Sequence, residues 1–304
     1  MVQAHASGAD SQGISFVRLA NLSGRATLIT GTDDAPLGVD LATASDGRFG
    51  PDIQALYPVW DDLLGYLPGA AAAGLLGGAT PLDRTQLCSP VPRPRQVFAI
   101  GLNYRAHAAE SGMELPKVPA TFTKFPACIT GPHDDVEIPA PTVDWEVELV
   151  VVIGRSADRV VEADAWSHVA GLTIGQDLSE RTMQFAAGNQ FSLGKSYRGF
   201  APMGPWVVTP DEFGDPNDIG LGCSLDGEEV QNARTSDLVF DIASLITQLS
   251  AVLPLLSGDI IFTGTPAGVG IGRKPARFLH AGQVLETWIE GIGTMRNCLI
   301  APAR

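Results

Sequence analysis

The sequence predicts an α+β fold that is rich in strands. Three observations lead to this prediction: short apolar runs between dense Gly and Pro punctuation, few segments with helical spacing, and no regular alternation of strands with long helices. A doubly wound parallel sheet requires that alternation, so we do not expect this class. Apolar residues make up 45% of the 304 residues, which is ample for a buried core.

The N-terminal part predicts a small separate domain, for which we set the bounds 1–92. Alternating apolar and polar residues from Ile14 to Ile29 predict a β-hairpin. Helical spacing in Ile53–Tyr66 predicts a helix that ends near Gly65 and Pro68, before a linker containing Gly69–Gly78 and a proline cluster. Residues 93–304 are then the second, larger domain.

Apolar runs of the larger domain predict five strands and three helices. The strands are expected at Val97–Ile100, Val147–Ile153, Trp206–Thr209, Ile260–Thr263 and Val284–Ile289. The helices are expected at Tyr104–Ser111, Arg181–Ala187 and Ile242–Leu253.

Charge and composition exclude several partners. The chain has 20 basic and 34 acidic residues and a net charge of −14, so phosphates would repel it, and we expect neither nucleic acid nor membrane as a partner. No apolar run approaches the ~20 residues of a membrane span. The first 13 residues do not resemble a signal peptide, and the four dispersed cysteines fit neither a zinc site nor a disulfide framework. We therefore expect a cytoplasmic protein.

Two glutamates precede the strongest apolar run, within Asp144–Gly154. Side chains of a strand alternate between its faces, so Glu146 and Glu148 share one face, which continues into valines. Two adjacent carboxylates beside an apolar run repel each other and lose hydration, and a divalent cation removes both penalties. The alternative is a solvated strand end with two surface glutamates.

A third carboxylate, Asp177, stands where a predicted strand passes into a helix. Arg181 and Gln184 lie three residues apart on one face of that helix. Together with the glutamate pair, Asp177 gives three oxygen ligands and no thiolate or imidazole set, which favours Mg²⁺ or Mn²⁺ over Zn²⁺. The alternative is ordinary capping, because Asp177 followed by Glu180 resembles a capping box.

His107 and Glu110 lie three residues apart on one face of a short predicted helix. A carboxylate beside an imidazole orients it and raises its basicity, as a general base for water requires. The alternative is a surface ion pair.

Two further segments suit an anionic ligand. Lys195 lies among small residues in Ser192–Ser196, an environment in which its ammonium group could face an anion; a surface lysine is the alternative. The glycine-rich segment Thr263–Gly270 follows a predicted strand, and its free N–H groups could hold a carboxylate. It lacks the Gly-Lys-Ser/Thr ending of a phosphate loop, and a tight loop is the alternative.

These segments, taken in order, resemble the fumarylacetoacetate hydrolase family, and Val17–Leu28 resembles its small N-terminal domain. The similarity extends from Val97 to the C-terminus, and its matching segments are GLNYRAHAAE (Gly101–Glu110), DWEVELVVVIG (Asp144–Gly154), GQDLSERTMQ (Gly175–Gln184), SLGKS (Ser192–Ser196) and SGDIIFTGTPAGVG (Ser257–Gly270).

The resemblance implies a mixed β-sandwich roll, a homodimer and a Mg²⁺ or Mn²⁺ cofactor. It also implies roles for nine residues. The implied metal ligands are Glu146, Glu148 and Asp177. The implied catalytic residues are His107, Glu110 and Lys195, and the implied substrate contacts are Arg181, Gln184 and Thr265.

The function predicted on this basis is metal-dependent hydrolysis of a carbon–carbon bond in a 2,4-dioxo acid of the acylpyruvate or fumarylpyruvate type. In this hypothesis His107 takes a proton from water, and Lys195 stabilises the developing oxyanion. The first alternative is a 2-oxo acid decarboxylase, hydratase or isomerase that acts through a metal-bound enolate. The second alternative is a non-catalytic protein that binds an organic acid.

One stretch departs from the family pattern. Arg198 and Gly199 stand where many relatives have Asp-Thr. Because arginine is permanently charged and its planar fork suits carboxylates, Arg198 predicts a substrate with a second anionic group at the acyl end. The alternative is that Arg198 turns outward and pairs with a surface acid.

Overall fold

The computed structural model describes residues 17–32 and 34–302. Its strands are β1 Arg18–Leu22, β2 Arg25–Gly31, β3 Pro36–Asp40, β4 Thr80–Pro81, β5 Leu87–Cys88, β6 Val97–Gly101, β7 Ala120–Thr123, β8 Ile129–Thr130, β9 Val136–Glu137, β10 Val143–Asp144, β11 Val147–Ile153, β12 Val169–Gln176, β13 Ser179–Glu180, β14 Ala201–Val208, β15 Gly220–Leu225, β16 Glu228–Arg234, β17 Ile260–Phe262, β18 Val284–Ile289 and β19 Gly293–Ile300.

Helices are short and few. The α-helices are α1 Leu41–Ala44, α2 Trp60–Ala72, α3 Arg105–Glu110, α4 Arg181–Ala186 and α5 Ile242–Ser250. Short 3₁₀ helices cover Ile53–Val59, Arg84–Gln86, Pro126–Cys128, Glu162–His168, Pro210–Glu212 and Thr235–Asp237.

Two packed sheets form the body of the molecule. The larger sheet has twelve strands in the order β4-β3-β2-β1-β14-β12-β11-β17-β6-β7, with β5 beside β1 and β8 beside β14. The smaller has five strands in the order β16-β15-β18-β19-β9, and β10 pairs separately with β13. Strands β15, β18 and β19 contact β11, β12 and β14, so the core lies between the sheets. This architecture confirms the predicted strand-rich α+β class.

The centre of the larger sheet is fully buried. Every residue of β11 and β12 is buried, and the two strands pair antiparallel along their length. A strand covered on both faces has a continuous apolar sequence rather than an alternating one. This burial explains the unbroken apolar run Leu149–Ile153. It also places the residues just before this run, at the start of β11, next to the core.

The N-terminal hairpin is formed by β1 and β2. Residues 14–16 of the predicted hairpin, and the polar first 13 residues, lie outside the described residues. Strand β1 also pairs with β14, so the hairpin extends the larger sheet. The boundary between residues 92 and 93 stays a prediction.

The predicted end of the helix near Gly65 and Pro68 is wrong, because α2 continues to Ala72. Proline inside a helix removes one hydrogen bond and costs about 3 kcal/mol. Leu67 and Ala70 on either side of Pro68 are buried, and packing of this face sustains the helix. The helix also begins later than predicted, after a 3₁₀ segment over Ile53–Val59.

Within residues 93–304 every predicted strand and helix is present, although β14 begins earlier than predicted, at Ala201, and α5 ends earlier, at Ser250. The five strands are β6, β11, β14, β17 and β18, and the three helices are α3, α4 and α5. All four cysteines are free. Within the described residues, no helix has the length and apolar character needed to cross a bilayer.

Gly175 gives a test of this packing. A Cβ at Gly175 would lie 2.6 Å from both Phe262 Cε1 and Val150 Cγ2. We expect Gly175→Ala to lower the free energy of unfolding by about 1–3 kcal/mol, the usual cost of overpacking a core. Urea unfolding measures the change.

Gly65→Ala is the matched control, because a Cβ at Gly65 would meet nothing within 4 Å and Gly65 is exposed inside α2. Alanine there should stabilise the protein by up to about 1 kcal/mol through helix propensity. Equal stability of Gly175→Ala and the unsubstituted protein would contradict the packing described.

Candidate metal centre

Strand pairing brings the three predicted carboxylates together. Val147 pairs with Gln176 in the β11–β12 register, and one step further the Asp177 N–H donates to the Glu146 carbonyl oxygen over 2.9 Å. One oxygen from each of Glu146, Glu148 and Asp177 lies within 4.8 Å of the others. We call these three side chains the carboxylate triad.

The carboxylate triad is buried. Relative exposures are 6% for Glu146, 1% for Glu148 and 0% for Asp177, so the alternative of a solvated strand end is wrong. The capping alternative is also wrong, because Glu180 is the N-cap of α4 and its own side chain accepts from Thr182 N and Met183 N.

Lys195 and Arg181 neutralise one side of the carboxylate triad. Lys195 Nζ donates to Glu146 Oε2 over 2.8 Å and to Asp177 Oδ2 over 2.5 Å. Arg181 Nη1 lies 2.7 Å from Glu146 Oε1. Both cations are buried with the acids they contact. Lys195 is therefore not the surface lysine of the alternative interpretation.

Lys124 is a second buried lysine, which no sequence pattern predicted. It is fully buried, and its Nζ donates to Asp177 Oδ1 over 2.6 Å and to the backbone oxygen of Lys195. It follows the edge strand β7, where a lysine normally faces solvent. The only signal in the sequence is its place between two phenylalanines, Phe122 and Phe125.

Burial and charge set the pKa values of the triad in opposite directions. Burial alone would raise the pKa of Glu146, but Lys195 and Arg181 outweigh it and lower that pKa to about 2. Burial, together with repulsion from Asp177 and Glu146, raises the pKa of Glu148. Burial opposes the Lys195 ammonium, yet Asp177 and Glu146 raise its pKa.

The donor set fits a divalent cation. Glu148 accepts a 2.7 Å hydrogen bond from Gly264 N, but among the described residues no lysine or arginine forms an ion pair with it. A buried carboxylate without a cation is costly, and three carboxylates with no sulfur or imidazole are the ligands of a hard ion. The triad thus supports a divalent metal site.

Asp144 links Arg181 to the glycine-rich loop, a role that no sequence pattern predicted. It is fully buried, and its Oδ2 accepts from Arg181 Nε over 2.9 Å and Nη2 over 2.7 Å. Its two oxygens also accept from Gly270 N over 2.7 Å and Ile271 N over 3.0 Å. The sequence contains one indication of this role: Asp144 lies two residues before Glu146, and side chains two residues apart on a strand share a face.

The glycine-rich loop binds carboxylates of the protein itself. Its N–H groups at Gly264, Gly268 and Gly270 donate to Glu148, Glu110 and Asp144 respectively. The loop is therefore more than a tight turn, because it connects the carboxylate triad, the ion pair between Asp144 and Arg181, and the helix that carries His107.

His107 and Glu110 form the predicted pair on α3. His107 Nδ1 lies 3.3 Å from Glu110 Oε2, and the two side chains have exposures of 12% and 22%. Asp237 fixes the start of α3 by accepting from Ala106 N over 3.0 Å. This contact joins residues far apart in sequence, and no local signal predicts it.

The three predicted substrate contacts also lie at this site. Arg181 donates to Gln184 Oε1 over 2.9 Å, and both side chains are buried. Thr265 is buried beside Gly264 and accepts from Gln231 Nε2 over 2.9 Å. A Cβ at Gly194 would lie 2.3 Å from Gln184 N, so the close approach of the Lys195 segment to α4 requires glycine there.

Arg198 lies in a turn and is exposed. Phe200 N donates to the Tyr197 carbonyl oxygen, and Gly199 has a φ of +78°, the left-handed value that glycine adopts without strain. The geometry of this turn gives a structural reason for Gly199.

Comparison with known proteins identifies the family. Residues 96–300 match the family model described as fumarylacetoacetate (FAA) hydrolase, C-terminal. The chain belongs to the fumarylacetoacetate hydrolase family, as its motifs predicted, and it is an enzyme of that family.

Named relatives have different activities. The chain is 42% identical over 247 residues to 2,4-didehydro-3-deoxy-L-rhamnonate hydrolase of Sphingomonas sp., covering 78% of this chain and 87% of the relative. It is 41% identical over 223 residues to the mitochondrial oxaloacetate tautomerase FAHD2A of Bos taurus, covering 72% and 71%. The structure of maleylpyruvate hydrolase from Sphingobium sp. SYK-6, in complex with manganese(II) and pyruvate, has a TM-score of 0.74 at 29% identity, covering 94% and 100%.

Glu148→Gln tests the metal centre. We expect loss of Mn²⁺ binding in isothermal titration calorimetry, because the triad loses a charged ligand. The metal-free variant should also melt at a higher temperature than the unsubstituted protein at pH 7. A carboxyl whose pKa is higher in the folded state destabilises folding as pH rises above its unfolded pKa, and glutamine removes this penalty.

Exposed Glu162 is the control, and Glu162→Gln should leave both the affinity and the melting temperature unchanged. Unchanged Mn²⁺ affinity in Glu148→Gln would exclude Glu148 as a ligand.

Proposed function

We propose that the protein hydrolyses a carbon–carbon bond of a 2,4-dioxo acid of the acylpyruvate or fumarylpyruvate type. One observation carries the proposal: the loop Gly264–Gly270 joins a buried carboxylate triad to a His–Glu pair that is suited to activate water. The named hydrolases among the relatives support the reaction class.

A divalent metal, Mg²⁺ or Mn²⁺, would be held by Glu146, Glu148 and Asp177, and when bound it supplies Lewis acidity at the oxygens of a 2-oxo acid. Each carboxylate has about four lone-pair positions, so the hydrogen bonds from Lys195 and Arg181 leave room for a metal. The manganese(II) in the maleylpyruvate hydrolase structure supports this assignment.

His107 takes the proton from water in this mechanism. In the tautomer that donates Nδ1–H to Glu110 Oε2, His107 Nε2 carries no proton and is available as the base. The hydroxyl then adds to the distal carbonyl carbon of the substrate. Gly268 N holds Glu110 over 3.1 Å and so keeps the pair at the site.

Lys195 stabilises the negative charge that develops on the substrate. Its ammonium group has three N–H donors, and Glu146 and Asp177 accept two of them. Among the described residues nothing accepts the third, which is available for a substrate oxygen in a buried site where such a bond is strong. The bond between the third and fourth carbons of the substrate then breaks, and its electron pair stays on the third carbon, which belongs to the pyruvate fragment. His107 returns its proton to this third carbon.

Tautomerisation of a 2-oxo acid is the second candidate, and the identity to oxaloacetate tautomerase favours it. This reaction needs proton transfer at the third carbon but no added water. Decarboxylase, hydratase and other isomerase activities would act through the same kind of enolate, so the carboxylate triad suits them as well.

Product analysis distinguishes these reactions. We expect purified protein with Mn²⁺ or Mg²⁺ to convert a 2,4-dioxo acid and water into pyruvate and a carboxylic acid, detected by mass spectrometry. Tautomerisation or decarboxylation of oxaloacetate without release of pyruvate from any dioxo acid would contradict the hydrolase proposal.

His107→Ala should lower the hydrolysis rate by about 10²- to 10⁴-fold, the usual effect of removing a general base. Mn²⁺ affinity should persist, because His107 is not a proposed ligand. Exposed His280 is the matched control, and His280→Ala should keep full activity. Calorimetry that detects lost metal affinity in His107→Ala would place His107 among the ligands instead.

A further inference from the structure

Three phenylalanine rings lead outward from Lys195. The Lys195 ammonium lies 5.1 Å from the ring centroid of Phe122. Phe122 and Phe191 meet edge to face with centroids 5.7 Å apart, and Phe191 and Phe185 meet in the same way at 5.8 Å. We call Phe122, Phe191 and Phe185 the aromatic path.

The aromatic path runs from the carboxylate triad toward solvent. Phe122 and Phe191 are partly buried, whereas Phe185 is 51% exposed. The rings come from β7, from the segment before Lys195 and from α4, so three separate parts of the fold converge on one aromatic cluster. Apolar walls beside a few fixed polar groups are typical of sites for small organic ligands.

The cations at the centre are already paired. Lys195 and Lys124 donate to Asp177, and Arg181 binds both Asp144 and Glu146. Lys195 keeps one donor for the 2-oxo acid end. Among the described residues, no further lysine or arginine forms a cation–π contact with the three rings of the aromatic path.

A second carboxylate on the substrate would therefore meet phenyl rings instead of a cation. An unpaired carboxylate loses hydration beside these apolar rings and gains no ion pair in exchange. A planar apolar group gains edge-to-face or offset stacking contacts with the same rings.

We propose that the aromatic path binds the acyl group of the substrate, and that this group is apolar and planar, as in an aroylpyruvate, and carries no second carboxylate. The proposal rests on the hydrolase function for its substrate class. This proposal conflicts with the expectation based on Arg198, which was a second anionic group at the acyl end of the substrate.

Turnover gives the first test. We expect kcat/KM for benzoylpyruvate to exceed that for fumarylpyruvate in the unsubstituted protein. Phe191→Ala and Phe185→Ala should each lower the ratio of kcat/KM for benzoylpyruvate to that for acetylpyruvate, by about tenfold for Phe191, and Phe191→Leu should restore part of it. Met183→Ala is the matched control, since Met183 is exposed on the same helix outside the aromatic path, and the ratio should not change.

Binding gives a second test that does not need turnover. In calorimetry with the Mn²⁺-loaded protein, phenylpyruvate should bind about tenfold more tightly than pyruvate, and Phe191→Ala or Phe185→Ala should reduce this advantage. Thermal unfolding checks that both variants fold, and exposed Phe185 is the safer substitution.

The outcomes separate the two proposals. An advantage for phenylpyruvate without cleavage of any dioxo acid would overturn the hydrolase function and keep the apolar site. Equal affinity for phenylpyruvate and pyruvate would overturn the aromatic path. A preference for fumarylpyruvate that Arg198→Ala abolishes would also overturn it and favour the dicarboxylate.

Discussion

The burial of three carboxylates at one point of the central sheet determines how the rest of the site is built. The β11–β12 register places Glu146 beside Asp177, and alternation along the strand adds Glu148 to the same cluster. Uncompensated charges in such a place would cost several kcal/mol each. Lys195, Lys124 and Arg181 offset this cost on one side, and a divalent cation suits the side on which Glu148 has no basic partner among the described residues.

The glycine-rich loop connects the carboxylate triad to the other parts of the site by hydrogen bonds. Its N–H groups donate to Glu148 of the carboxylate triad, to Asp144, which pairs with Arg181, and to Glu110 on the helix that carries His107. One loop thus fixes the distance between the group that would activate water and the triad that would bind the substrate. A shift of the loop would disturb all three together, because they share one segment of backbone.

Local patterns predicted the central elements but not their long-range contacts. The valine-rich run predicted β11 to the residue, and the spacing of Glu146 and Glu148 predicted their shared side. Sequence patterns did not predict Lys124 and Asp144 as site residues, because their partners come close only in the folded sheet. The end of α2 was misplaced because burial of Leu67 and Ala70 outweighs the local signal of Pro68.

The carboxylate triad, held in place by buried cations, is the metal site on which the proposed chemistry depends. Anomalous scattering from a crystal of the Mn²⁺-loaded protein tests this assignment most directly. We predict one manganese peak bonded to an oxygen of each of Glu146, Glu148 and Asp177, with Lys195 still in contact with Glu146 or Asp177. Manganese bound elsewhere, or a folded protein with Mn²⁺ present and no peak at the triad, would contradict it.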